Sequence, residues 1–207
     1  MDLQFYGANC LSVSYKGTRI VVDDNLSELG AKSIIKENDV SLFTSRDHTP
    51  TKAHLTFDSP GEYEASDISI IGIAARSNIE DSGDVSCTMF KLICGDQSLI
   101  VTGHIYPQLS DKQLENVGHV DVLVVPVGGN GYTVDAVGAL QIVKAIEPRL
   151  LIPVHYADKG LHYPVPQQEL AVVLKELAMD PKETTTKYRL KLNELSDITQ
   201  LVVLERS

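Results

Sequence analysis

The chain has 207 residues, of which 43% are hydrophobic and 22% are charged, and its formal net charge at pH 7 is −10. These values are typical of a globular protein, and the length predicts a single domain over residues 1–207 with a sizeable core. The excess of 28 acidic over 18 basic residues argues against nucleic acid or an anionic membrane as a partner, because both bind basic surfaces.

The first third of the chain is predicted to be mostly β-strand. Short runs rich in β-branched and aromatic residues are separated by Gly or Asp: "LQFYG", "CLSVSYKG" and "TRIVVDD". A short helix is expected over "ELGAKSIIKEN", followed by strands at "VSLFT", "AHLTF" and "ISIIGIAAR". Between the last two strands, "DSPGEYE" has the composition of a turn, and a polar loop, "SNIEDSGDVS", follows the third.

The rest of the chain alternates strands with helices. Strands are predicted at "CTMFKLICG", "QSLIVTG", "VDVLVVPVGG", "RLLIPVHY", "YRLKLNE" and "TQLVVLE". Helices are predicted in "YPQLSDKQLENVG", with Ser110 as N-cap, in "TVDAVGALQIVKAIEP", with Thr133 as N-cap, and in "VPQQELAVVLKELAMD". This order favours an α/β protein with two packed sheets and outer helices.

The cysteines and the apolar runs bear on location. Cys10, Cys87 and Cys94 have no CxxC spacing, and we expect them to be buried, reduced thiols. The N-terminus lacks the features of a secretory signal, and the longest apolar stretches are too short to cross a bilayer. The sequence therefore favours a reducing, cytoplasmic location and no membrane partner.

Five phrases occur in a characteristic order: "FYGANCLSVSYKGTRIVVDD", "DSPGEYE", "VTGH", "VDVLVVPVGGNGYT" and "LLIPVHY". Together they resemble the metallo-β-lactamase superfamily over about residues 2–157. The most similar branch contains the ascorbate-6-phosphate lactonases and related Zn-dependent hydrolases. The resemblance implies a four-layer αββα sandwich with a metal site on loops at one edge of the two sheets.

The family's central motif, H-x-H-x-D-H, follows a strand and supplies ligands to two zinc ions. Here the corresponding strand "VSLFT" is followed by "SRDHTP". Aligned on Thr44, Ser45 and Asp47 replace the two leading histidines, and "TP" replaces the final Asp and His. His48 falls at a non-ligand position, which a small register shift would correct. Arg46 places a cation where a metal ion would repel it.

The remaining ligand positions are also altered. The loop "ARSNIEDSGDVS" has no histidine, and "VTGH" places His104 where the family has a metal-bridging aspartate. The final family histidine is retained as His155 in "IPVHY". The candidate metal ligands are therefore Asp47, His48, His104 and His155. Asp23, at the end of a strand near the expected site, is predicted to cap a turn.

Three hypotheses follow. In the first, the dinuclear site is largely lost, no metal binds, and the protein is a non-catalytic binding or structural module for a small-molecule ligand or a protein partner. The alternative is an active ester, lactone or phosphodiester hydrolase with one zinc ion. Asp47 or His48 would hold the zinc together with His104 and His155, and a water bound to the zinc would be the nucleophile. In the third, Asp47 and His48 are catalytic as a metal-free acid–base pair. The sequence does not determine the substrate or the oligomeric state.

Overall fold

The computed structural model describes residues 1–79 and 85–207, which contain fourteen strands and three α-helices. The strands are β1 (Asp2–Gly7), β2 (Cys10–Tyr15), β3 (Thr18–Val22), β4 (Val40–Leu42), β5 (Leu55–Phe57), β6 (Gly61–Ala65), β7 (Ile68–Ala75), β8 (Cys87–Cys94), β9 (Gln97–Val101), β10 (Val122–Pro126), β11 (Leu150–Val154), β12 (Glu183–Thr185), β13 (Lys187–Arg189) and β14 (Gln200–Leu204). The helices are α1 (Asp111–Val117), α2 (Ala136–Ile146) and α3 (Leu170–Leu177).

The strands form two mixed sheets. The first has the order β13-β1-β2-β3-β4-β5 and the second the order β12-β14-β11-β10-β9-β8-β7-β6. In the first sheet β3, β4 and β5 are parallel, and in the second β9, β10, β11 and β14 are parallel. Since parallel strands end at the same edge of a sheet, the loops after β3, β4, β9, β10 and β11 are well placed to build a site.

The main hydrophobic core lies between the two sheets. Strand residues of one sheet, such as Leu3 and Val13, pack in one cluster with residues of the other, such as Phe90 and Val124. A second cluster covers the outer face of the second sheet and includes buried residues of all three helices. The two packed sheets predicted from the sequence are therefore confirmed, as are the three helices of the second half.

The outer face of the first sheet is covered differently. Its cluster includes Val21 and Phe43 from the sheet side and Leu26, Ile35 and Leu161 from turns and coil. The layer over this sheet is thus non-helical within the described part of the chain, whereas helices form the layer over the other sheet.

The predicted helix over "ELGAKSIIKEN" is wrong. The carboxylate of Asp24 accepts hydrogen bonds from the backbone N–H groups of Ile34 (2.7 Å) and Ile35 (3.0 Å) and from the hydroxyl of Ser33 (2.8 Å). Backbone N–H groups held by a distant side chain cannot donate to the carbonyls of a helix, so the segment stays irregular.

Other predictions were close. Ser110 caps α1 in a capping box, as predicted. The cap of α2 is Asp135, which accepts from Gly138 N–H, and the prediction of Thr133 is wrong by two residues.

The "DSPGEYE" turn runs directly into β6, a strand that the sequence did not reveal. The predicted polar loop after β7 includes residues 80–84, which lie outside the described residues.

The three cysteines are buried thiols, as predicted. Among the described helices, none is both long and apolar enough to cross a membrane.

Candidate functional site

A cavity of about 300 Å³ opens where the ends of the two sheets meet. The loops after the parallel strands supply most of its wall. Those lining residues are Asp23, Asn25 and Glu28 after β3, Thr44, Ser45 and Asp47 after β4, His104 after β9 and Tyr132 after β10. The remaining lining residues are Asn9, Ser77, Ile79 and Cys87. This edge is where the sequence predicted a site.

Asp23 is the most firmly held carboxylate in the cavity. Its two oxygens accept hydrogen bonds from the backbone N–H and the hydroxyl of Thr44, each at 2.7 Å. The residue is 5% exposed, and burial raises its pKa to about 6 even though both Thr44 bonds favour the charged form. Asp23 therefore does more than cap a turn: it links the end of β3 to the loop after β4 and presents a buried carboxylate to the cavity.

His104 is neutral and incompletely paired. Its Nε2 lies 2.9 Å from Nδ2 of Asn9, while its buried Nδ1 and the Oδ1 of Asn9 have no hydrogen-bond partner in the part of the chain that the structure describes. Burial lowers the pKa of His104 well below its ordinary value, and neighbouring His155 adds to this effect. The imidazole ring therefore carries no charge near pH 7.

His155 contacts His104 but is not among the residues that line the cavity. The two rings meet edge to face with centroids 4.6 Å apart. His155 has a left-handed backbone (φ +56°), its N–H donates to the carbonyl of Ala8, and its Nδ1 lies 3.2 Å from Oε1 of Gln167. At 4% exposure, burial lowers its pKa to about 4. Its Nδ1–H is thus committed to Gln167, and His155 is also neutral.

The structure separates Asp47 from His48. Asp47 is exposed and lines the cavity. His48 stacks on Phe43 with ring centroids 3.9 Å apart, and its Nε2 lies 3.2 Å from Oδ2 of Asp58. Neither His48 nor Arg46 belongs to the described lining of the cavity. The geometry therefore brings together His104 and His155, places Asp47 on the same cavity as His104, and directs His48 to a different carboxylate.

The side chains that the structure describes do not fit a dinuclear zinc centre. Zinc sites need at least three converging nitrogen, oxygen or sulfur ligands at about 2.0–2.3 Å. Within residues 1–79 and 85–207, no group of three or more His, Cys, Asp or Glu is arranged to hold a metal ion.

Sequence reasoning missed several residues of this cavity. Asn9 and Tyr132 lie within two of the phrases that carry the family resemblance, but no role was predicted for either, and Glu28 begins the segment that was predicted to be helical. Asn9 lies in the tight turn between β1 and β2, which the phrase "YGANC" marks with a glycine of positive φ.

Comparison with known proteins identifies the scaffold. Residues 2–155 match the family model described as the beta-lactamase superfamily domain. A UPF0173 protein of Pyrococcus abyssi is 26% identical over 187 residues, covering 77% of this chain and 85% of the relative. A protein of Carboxydothermus hydrogenoformans named UPF0173 metal-dependent hydrolase is 37% identical over 67 residues, or 32% of this chain and 29% of its own.

Solved structures agree on the fold. A metallo-β-lactamase superfamily protein of Thermotoga maritima superposes with a TM-score of 0.74 at 23% identity, covering 99% of this chain and 98% of that one. The metallo-β-lactamase fold protein YhfI of Bacillus subtilis gives a TM-score of 0.61 at 12% identity, covering 99% and 96%. The predicted metallo-β-lactamase fold is confirmed, and at these identities the likeness extends to the fold alone.

Proposed function

The chain belongs to the β-lactamase superfamily domain family, and from this premise we propose that it is a non-catalytic member whose cavity binds a small molecule without a dinuclear zinc centre. One observation carries the proposal. The family scaffold and the cavity at its edge are present, but the ligand-type side chains of the described residues do not converge there in a group of three.

Each altered position supports the same conclusion. The hydroxyls of Ser45 and Thr49 and the ring of Pro50 stand where the family has ligands, and these groups do not replace imidazole or carboxylate at a structural or catalytic zinc. His155, the one ligand retained in place, is not among the residues that line the cavity. A UPF0173 relative of Carboxydothermus hydrogenoformans is named a metal-dependent hydrolase, and under this proposal the present chain has lost the ligands for that chemistry.

Metal content tests the proposal directly. Untagged protein, purified without chelator, is analysed for bound metal before and after incubation with zinc and desalting. We expect less than stoichiometric metal in both samples and no turnover of ester, lactone or phosphodiester substrates above the blank. About one tightly held zinc per chain, together with zinc-dependent turnover, would overturn the proposal.

A single-metal hydrolase is the second candidate, and one observation favours it. His104 and Asp47 line the same cavity, and the buried Nδ1 of His104 has no partner among the described residues. If this candidate is correct, His104→Ala abolishes both zinc retention and turnover. His48→Ala is the matched control, because His48 pairs with Asp58 outside the cavity and its loss should leave both properties unchanged.

A further inference from the structure

The charge of the cavity indicates which ligands it would favour. Asp23, Glu28 and Asp47 place three carboxylates on its wall, and its described lining contains no Lys or Arg. Burial raises the pKa of Tyr132, and the charges of these same three carboxylates raise it further. The wall therefore carries a concentrated negative charge without an internal counter-ion.

Unpaired acceptors give a second, independent indication. Asn9 is 5% exposed and lines the cavity, yet its Oδ1 has no hydrogen-bond partner in the described structure, and the buried Oδ1 of Asn25 is also unpaired. Buried polar atoms without partners are costly, so such atoms at a cavity wall indicate that a ligand or water completes them. Asp23 adds acceptor capacity, because a carboxylate oxygen that accepts one bond can accept another.

The pair of Asn9 and His104 requires both kinds of hydrogen bond from a ligand. If Asn9 Nδ2 donates to His104 Nε2, then Asn9 Oδ1 remains an unpaired acceptor and His104 Nδ1–H an unpaired donor. If the Asn9 amide is rotated by 180°, the same two positions exchange roles. One donor and one acceptor remain in either arrangement, so a group that only donates, such as an ammonium, cannot satisfy both, and the ligand also needs an acceptor such as a hydroxyl or amide oxygen.

We infer that the cavity binds a small organic cation, a protonated amine with an adjacent hydroxyl or amide group, with the carboxylates of Asp23, Glu28 and Asp47 as its counter-ions. An ammonium group donates up to three hydrogen bonds and relieves the mutual repulsion of carboxylates that have no Lys or Arg beside them on the described lining of the cavity. It does not require the close convergence of ligands that zinc requires and that the described side chains lack. The inference rests on the proposed function and specifies its ligand class.

The cavity volume and Tyr132 are consistent with such a ligand. A volume of about 300 Å³ is at the lower end of small-molecule sites, which favours a compact amine over an extended one. The ring of Tyr132 lies on the wall, and the face of an aromatic ring attracts a cation.

Three probes of similar size and different charge test the inference: ethanolamine, which is cationic, ethylene glycol, which is neutral, and glycolate, which is anionic. Binding is measured by ligand-observed NMR and calorimetry at fixed ionic strength, with chelator present, on the full chain. We expect ethanolamine to bind at least about tenfold more tightly than the other two, the effect of one charge-assisted hydrogen bond.

Variants locate the binding. Glu28→Gln and Asp47→Asn alter exposed side chains of the cavity, so both should fold, and each should weaken ethanolamine binding by about tenfold. Glu176→Gln is the control, because it neutralises an exposed acidic residue of α3 that is not among the residues lining the cavity, and it should leave binding unchanged.

The outcomes separate the inference from the proposed function. Preference for glycolate, equal binding of the three probes, no binding of any, or equal weakening by Glu176→Gln would overturn the cation inference. The proposed function fails on a different measurement, namely stoichiometric zinc with zinc-dependent turnover. Tighter binding of ethanolamine that is lost in both cavity variants would support the inference.

Discussion

Acidification should destabilise the fold through His155, and His155→Asn should remove that part of the effect. The folded pKa is about 4 against an ordinary value of 6.5, so between these values the unfolded chain binds a proton that the folded chain does not. The contribution of His155 to the free energy of unfolding is therefore fully present above pH 6.5 and is lost as the pH falls towards 4. The whole pKa shift of His155 corresponds to about 3 kcal/mol of unfolding free energy, of which about 2 kcal/mol is lost between pH 7 and pH 5.

Asparagine is the suitable replacement at this position. It tolerates the left-handed backbone (φ +56°), and its amide can donate to Gln167 as the imidazole does, but it does not titrate. His104 has a lowered pKa and acts in the same direction as His155, whereas the raised pKa of Asp23 makes the folded state more stable in acid. The difference between wild type and variant therefore reports His155 together with its smaller effect on the pKa of His104.

The assay is urea unfolding of both proteins at pH 7 and at pH 5. We expect the wild type to lose about 2 kcal/mol more than His155→Asn on going from pH 7 to pH 5, whatever the absolute stability of the variant. Equal losses in the two proteins would refute the assignment of His155 as a buried, neutral histidine.

Two further predictions concern the contact between the sheets at the cavity. Gly103 has a φ of +64°, and a Cβ added to it would lie 2.3 Å from Oγ1 of Thr44, so Gly103→Ala should lower the stability measured by thermal unfolding by about 2–4 kcal/mol. Gly131, with a φ of +78°, has open space around it, so Gly131→Ala should lower stability by only about 1–2 kcal/mol. Equal losses in the two variants would contradict the clash with Thr44. Thr44→Val removes the hydroxyl that donates to Asp23 and should lower the free energy of unfolding in urea by about 1–3 kcal/mol. Thr44→Ser keeps the donor and should lower it less. A Ser variant as unstable as the Val variant would contradict this role of the hydroxyl.

Much of the fold could be predicted because its signals are local. The all-apolar runs at β10 and β11 indicate strands buried on both faces, and the capping box at Ser110 marks the start of α1. The segment after β3 could not be predicted in this way. Its composition allows a helix, but Asp24, ten residues upstream, takes the N–H groups that the helix would need.

The candidate site shows the same division. The sequence predicts that the residues after β4 and β9 depart from the dinuclear zinc motif of the family it resembles, because the identity of a side chain fixes which atoms it can offer to a metal. The direction in which those atoms point depends on contacts between distant segments. The packing of the two sheets sets these directions: His48 pairs with Asp58, His155 donates to Gln167 and contacts His104, and Asn9 and Asp23 line the cavity. The strands that carry these residues are far apart in the chain and meet only when the two sheets pack.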